Sequence, residues 1–341
     1  MAPVKGVWTR LAESDRLKRS SQSLAVVGQQ VYIYGGEVTA RVPVDNALDL
    51  VSIDGNAATA STLPNVEHAP TARVGSATAV LNGKIYLFSG RGGLAMTPIE
   101  ENGGIWTYNP SSDWEFILPK YPSTLFPLGR SYHAAAASQK DGLIYIHAGC
   151  PESGRLSDFW SYNPQENVWI KLVDAPGVSR GGSSICCFEE SGSKPTGVAR
   201  MNGYSGTEEI GGIVDLYSPR TQSWERVDFK PDGIEGPGPR SVGTLLAIWI
   251  EGKQYLLTMF GEGRPSPLGH AGAGRMWDDA WIFDIEEKSW QKVEWETVGP
   301  APRGWFAADV VQVEGKDGVV LHGGLGEDNE RLGDVWLLKF N

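Results

Sequence analysis

The chain has 341 residues, 41% of them hydrophobic, with 30 basic against 41 acidic side chains and a formal net charge of -11. That balance repels a phosphate backbone, so DNA, RNA and anionic membranes are excluded as expected partners. Cys150, Cys186 and Cys187 are too few and too badly spaced for a disulfide framework or a thiolate metal site, no apolar leader opens the sequence and no run approaches 18 apolar residues, so a soluble cytosolic protein with reduced thiols is expected.

In chain order, a strand over Gly6 to Leu11 carrying Trp8 comes first, and it stands alone. A repeating pattern then begins: an Arg opens an apolar run, a second apolar run ends in Gly, and a short aromatic run follows. The six copies open at Arg19, Arg73, Arg130, Arg180, Arg240 and Arg303, at intervals of 54, 57, 50, 60 and 63 residues. In the second copy, Gly75 to Leu81 reads as an inner strand, Asn82-Gly83 as a hairpin turn into Lys84 to Phe88, and Gly90 as its stop. Ile105 to Tyr108 is the third strand and Trp114 marks the fourth. Second strands recur at Val31 to Tyr34, Leu143 to His147, Tyr255 to Phe260 and Val319 to His322, while the fourth copy, around Gly203 and Gly206, is irregular. Third strands recur at Asp49 to Asp54, Phe159 to Pro164, Val214 to Pro219, Ala280 to Asp284 and Asp334 to Leu338, and Trp169, Trp224 and Trp290 mark further fourth strands. Repeats of this length with four strands each predict one all-β domain over 1–341, a six-bladed β-propeller. The last copy stops after its third strand, so the N-terminal strand is expected to complete that blade and close the ring, removing exposed sheet edges.

The longest insertion, Phe260 to Arg275 and on to Trp277, lies between the second and third strands of the fifth copy, where loops gather around the axis. Glu262 and His270 offer oxygen and imidazole nitrogen, donor types that suit a divalent iron or zinc centre but that serve equally to tie down a loop. The six repeat arginines, Arg130, Arg180 and Arg240 among them, are expected either to gather guanidinium groups near the axis for an anionic ligand or to bond carbonyls and acids between blades. Arg91, just after Gly90, reads as standing outside the repeat and as the more specific candidate. His133 and His147 are the histidines placed to reach the channel, where either could move a proton or be packed and hydrogen-bonded. His322 reads as packed and His68 as exposed. No phosphate-binding Gly loop, nucleophile triad or zinc-spaced Cys pair is present.

These repeats resemble kelch repeats. At Gly35-Gly36-Glu37, Gly90-Arg91, Arg130-Ser-Tyr-His133, Arg180-Gly-Gly, the fifth-copy loop, Arg303-Gly304-Trp305, and Val319 to Gly324 followed by Asn329-Glu330-Arg331, the chain resembles the plant specifier proteins over nearly its whole length. That resemblance implies a propeller that steers an unstable aglucone toward alternative products, with ferrous iron bound through Glu-x3-Asp-x3-His. Here the pattern reads Glu262, Ser266, His270, with Arg264 beside it. A neutral hydroxyl replaces the central carboxylate, so no cofactor is expected and Glu262 and His270 remain as weak metal candidates. The pocket residues implied by the resemblance match Arg91 and Trp305.

The expected function is therefore that of a small-molecule protein of specialised metabolism, an isomerase, lyase or cyclase directing the non-redox rearrangement of a reactive intermediate, with an upstream biosynthetic enzyme as a further expected partner. Arg91, Arg130, Arg180, Arg240, Glu37 and Glu262 would hold it, Trp277 and Trp305 would wall it, and His133 or His270 would transfer a proton, with Arg91 polarising it. The alternative is a protein-interaction module. A copper radical oxidase lacks a Tyr/His/Cys ligand set.

Overall fold

The structure is a computed structural model that describes residues 3–63, 68–121, 125–189, 196–268 and 272–341. Alternating side chains and Gly-rich turns set up six propeller blades, five of them four-stranded antiparallel sheets and the last a four-stranded antiparallel sheet with a short fifth strand added in parallel at its edge. Blade two shows the pattern: Ala77–Leu81, Lys84–Phe88, Ile105–Tyr108 and Trp114–Ile117 pair in succession. Its first turn is tight because Asn82 and Gly83 both take positive φ, 51° and 74°, which twists the hairpin in the sense the strands require. The inner strands of the other blades are Ser23–Val27, Ala134–Ser138, Ser184–Phe188, Thr244–Ile250 and Ala307–Val313. Together the six line an axial channel of about 460 Å³, kept open by small side chains such as Ala25, Ala79, Ala135 and Ala247.

The ring closes as the sequence implies. Lys5–Glu13 pairs antiparallel with Asp334–Phe340, Trp8 opposite Leu338. The same strand meets Glu294–Trp295 in parallel, tying it to the preceding blade. Trp8 is buried among Phe260, Trp295 and Trp336 and belongs to the apolar core shared by blades five and six. Similar cores join the other neighbours: Trp114 packs on Tyr34 of blade one, Trp169 on Phe88 of blade two, and Trp224 on Phe159 of blade three. Large aromatics at a wide outer radius fill the wedge between diverging sheets.

Blade four is regular in topology, contrary to its irregular sequence: Gly197–Met201 is its second strand, pairing with Ser184–Phe188 and Ile213–Ser218. Its signature was obscured because the strand opens on Gly197 and carries Arg200 within its apolar run. Cys186 and Cys187 face opposite sides of their strand, Cys186 within the core of blades four and five and Cys187 against that of blades three and four. All three cysteines are free. Among the described residues, no helix is long and apolar enough to cross a membrane.

Candidate functional site

Three sets of repeat-equivalent residues build the mouth of the channel. The first is the set of six repeat arginines, and the structure corrects the expectation that they face a ligand. Arg130, Arg180 and Arg240, like Arg19, Arg73 and Arg303, are buried, with guanidinium groups turned into their own blades. Each donates through Nη1 to the carbonyl ending the second strand: Gly35, Ser89, Ala148, Asn202, Phe260 and Gly323, at 3.0 to 3.3 Å. In five blades a carboxylate also takes the fork: Asp49, Glu101, Asp158, Asp279 and Asp334. A buried cation requires such partners, and meeting that need turns these side chains away from the axis.

The second set lies two residues further on. Ser21, Gly75, Tyr132, Gly182, Val242 and Trp305 all have φ between 47° and 62°. This left-handed conformation swings each backbone toward the axis, where the N–H of one donates to the carbonyl of its equivalent in the preceding blade at 2.7 to 3.0 Å. Trp305 receives from Ser21 and closes the circle, so six peptides form one continuous hydrogen-bonded ring. Only four of these residues have side chains beyond hydrogen, and those of Tyr132, Val242 and Trp305 narrow the axis to a throat of about 120 Å³.

The third set follows the Gly that ends each second strand. The N–H of Gly36, Gly90, Gly149, Gly203, Gly261 and Gly324 donates to the repeat-Arg carbonyl of the next blade. The residue after each Gly is thereby aimed at the rim: Glu37, Arg91, Cys150, Tyr204, Glu262 and Leu325. Each is held in a short ladder or bridge to the residue after an Arg. Arg91 is thus a member of the repeat pattern, not an exception to it.

These sets enclose a mouth cavity of about 190 Å³ lined by Glu37, Arg91, Tyr132, Cys150, Arg155, Trp305 and Arg331, with Arg41, Glu152 and Gly272 at its edge. Glu37, Arg91 and Trp305, anticipated from three separate motifs, are brought together here. Tyr132, Cys150, Arg155, Arg331 and Arg41 were not anticipated as site residues. Aligning positions relative to the repeat Arg and the strand-ending Gly would have revealed Tyr132 and Cys150, whereas Arg41, Arg155 and Arg331 come from loops without a repeat address.

The electrostatics of the mouth differ from those of the whole chain: four arginines and two glutamates line it in a protein of net charge -11. Arg91 Nη2 donates to the Pro151 carbonyl at 3.2 Å, and Arg155 lies over the Tyr204 ring at 5.0 Å. Burial holds the Glu37 carboxyl above its ordinary range, against the Arg41 N–H at 2.7 Å and the Arg331 guanidinium at 3.6 Å. Burial likewise pushes Tyr132 up to about 12 and raises the Cys150 thiol, so both are protonated at neutral pH.

The remaining anticipated residues lie elsewhere. His133 is buried in the wall of the throat, edge-on to Phe88 at 5.5 Å. Burial and Arg130 lower it to about 3, and the nearby Phe88 carbonyl lacks hydrogen-bonding geometry. His147 does not reach the channel: it is wholly buried, with Nδ1 3.0 Å from the Asp158 carbonyl. His322 is packed as expected, between Gln22 and the Leu17 carbonyl, and His68 is exposed. Trp277 is no wall of this cavity, because its indole donates to the Pro239 carbonyl and covers Arg240 at 5.2 Å. Glu262 is buried under the fifth-blade insertion, where its carboxyl accepts from the Gly274 N–H at 3.0 Å and burial raises it to about 7. Its neighbour Glu209, which the sequence did not single out, is raised to about 8 by burial and by Glu262. Neither oxygen of Glu209 has a partner in good geometry; Ser241 is the donor that partly offsets its burial.

The described residues do not fit the iron pattern. Glu262 is occupied by backbone N–H groups, the Ser266 hydroxyl accepts from the Leu268 N–H at 3.1 Å, and His270 lies outside the described residues. A neutral hydroxyl and a carboxyl that retains its proton to near pH 7 are a poor donor set for a hard divalent cation. Among the described residues no three His, Cys, Asp or Glu side chains cluster as metal ligands.

Comparison with known proteins adds four findings. The family profile of the KLHDC2/KLHL20/DRC7 Kelch-repeats domain matches residues 21–261. The N-(sulfonatooxy)prop-2-enimidothioate sulfolyase of Thlaspi arvense is 27% identical over 358 residues, covering 99% of this chain and 98% of that protein. An N-acetylneuraminate epimerase of Haemophilus influenzae is 27% identical over 244 residues, covering 61% and 57% of the two chains. The solved structure of YjhT has the same fold, with a TM-score of 0.70 at 13% identity over 97% of this chain and 99% of that one.

Proposed function

Since the chain belongs to the kelch-repeat family, we propose that the mouth of this propeller binds a small, reactive anionic metabolite and directs its non-redox rearrangement or elimination. One observation carries the reading: guanidinium groups from blades two, three and six converge with the Trp305 indole around a single cavity, giving a cationic mouth in an acidic chain. The names of two relatives, a lyase and an epimerase, support this class of chemistry, and neither is a redox activity.

The roles follow from the geometry. All six N–H groups of the axial ring are spent on the ring itself, so they cannot receive developing negative charge. That task falls to Arg91, Arg155 and Arg331, whose fixed forks anchor and orient an anionic group. Trp305 and Tyr132 supply flat walls and limit water. Proton exchange falls to Glu37, whose raised carboxyl lines the cavity, rather than to His133, which is too acidic as an imidazolium to hold a proton at neutral pH.

The test uses two probes drawn from the relatives: decomposing N-(sulfonatooxy)prop-2-enimidothioate, with products quantified, and N-acetylneuraminate, with anomer exchange followed by NMR. The wild type is expected to change product ratio or exchange rate for at least one, and Trp305→Ala and Arg91→Ala to lose at least tenfold of that effect with unchanged melting. No effect on either probe, or variants that act like the wild type, would sink the proposal.

A further inference from the structure

Blade four breaks the charge pairing that the other five keep. In blades three, five and six an Asp-x-Trp segment lies at or near the start of the third strand: Asp158 and Trp160, Asp279 and Trp281, Asp334 and Trp336. The aspartate takes the fork of the repeat Arg and the Trp Nε1 donates to that aspartate. Strand register places Ile213 and Asp215 at those two positions in blade four, since Met201 would face Val214 as Met259 faces Ala280. Blade one also has its aspartate, Asp49, at the second position, opposite Ile33, and there it reaches Arg19. In blade four the residue opposite Asp215 is Arg200, not an isoleucine, and it takes the carboxylate for itself.

The consequence is a cluster with uncompensated charge. Asp215 is bonded by Arg200 and by Arg226, while Arg180 keeps only carbonyl acceptors, those of Val178 and Asn202. Among the described residues, no carboxylate pairs with Arg180, whose pKa falls to about 9 through burial and repulsion by Arg200. Three guanidinium groups therefore share one carboxylate. They also converge in space: Arg200 Nη2 donates to the Pro176 carbonyl at 2.6 Å, and a Cβ placed on the adjacent Gly177 would lie 3.3 Å from Arg226 Nη2 and 3.6 Å from Arg180 Nη2. Arg200 Nη1 is buried with no acceptor at all. The bare Cα of Gly177 thus leaves a cradle faced by two guanidinium groups, with Arg226 partly exposed beside it.

We propose that this cradle binds a small inorganic anion, a halide or phosphate, which supplies the counter-charge that Arg180 lacks and lies between Arg180 and Arg226 beside Gly177. The cradle shares no residue with the lining of the mouth and does not depend on the function proposed there. Burying cations without counter-charge is costly, and an anion bound only in the folded state stabilises by mass action.

Thermal unfolding of the full chain would be followed while sodium chloride, bromide or phosphate replaces sodium gluconate at constant ionic strength. The expected result is a saturable rise in midpoint of roughly 2 °C or more, larger for whichever anion fits the cradle. Ile213→Asp, which supplies the carboxylate of the Asp-x-Trp blades, should abolish that dependence, and the more conservative surface change Arg226→Gln should shift the half-saturating concentration upward at least threefold. Crystals grown in bromide should show an anomalous peak between Gly177, Arg180 and Arg226. No saturable rise, or the same rise in both variants, or bromide elsewhere only, would overturn the proposal.

Discussion

Two neighbouring residues in the sixth repeat, Arg303 and Trp305, show how sharply role divides within one motif. Arg303 is buried and its fork is shared by the Gly323 carbonyl and Asp334, which also receives the Trp336 indole N–H at 2.7 Å. Replacing it by Ala leaves Asp334 charged and largely desolvated, so Arg303→Ala should destabilise the protein by about 3–5 kcal/mol, read by denaturant unfolding. A loss below about 1 kcal/mol, the range of exposed pairs, would show the pair to be incidental. Trp305, two residues on, should cost activity and little stability. The carboxyls give a second residue-scale expectation. Glu209 and Glu262, raised to about 8 and about 7, hold protons that the unfolded chain releases near pH 4–5, so stability should fall as pH rises from there through the folded values. His133 and His322, lowered to about 3, act oppositely, favouring the fold as pH rises toward the ordinary histidine value and no further. Above about pH 6.5 only the carboxyl contribution is left. The melting temperature should drop between pH 6.5 and 8, and Glu209→Gln should flatten that drop; an unchanged slope would mean that Glu209 titrates normally.

At the scale of the element, the N-terminal strand is the one piece whose position the sequence made plain and whose importance can be removed cleanly. Lys5–Glu13 supplies one outer strand of the last blade and buries Trp8 in the core between blades five and six. Deleting residues 1–13 leaves Asp334–Phe340 as an open edge beside an exposed apolar pocket. The expected outcome is aggregation or a fall in melting temperature of more than 10 °C, seen by light scattering and calorimetry. A truncated chain that melts like the wild type would show that closure does not depend on this strand. The strands themselves were legible wherever turn chemistry and alternation agreed: Lys84–Phe88 and Ala280–Asp284 match the sequence reading to the residue. Gly197–Met201 was not legible, because Gly197 opens it and Arg200 breaks the apolar run that marks its equivalents.

Across the whole molecule, the six-fold arrangement turns local accidents of sequence into a site. The ring of left-handed peptides exists only because the six blades stand at one radius, so that each N–H meets a carbonyl from the neighbouring blade, far away in the sequence, and the closing bond joins Ser21 to Trp305. Spacing alone established the repeats, the number of blades and the closing strand, since these depend on hydrophobic period and turn residues, which are local properties. It also brought out Glu37, Arg91 and Trp305, because they sit in short motifs. The direction in which a side chain points was decided by tertiary structure. The sequence left the repeat arginines open between axial ligand groups and structural ties, and the cost of burying a cation without acceptors decided it, turning five of them to Asp49, Glu101, Asp158, Asp279 and Asp334. The mouth was left to Arg155 and Arg331, loop residues with no repeat address, and the loss of a partner for Arg180 became visible only when six blades could be laid one upon another.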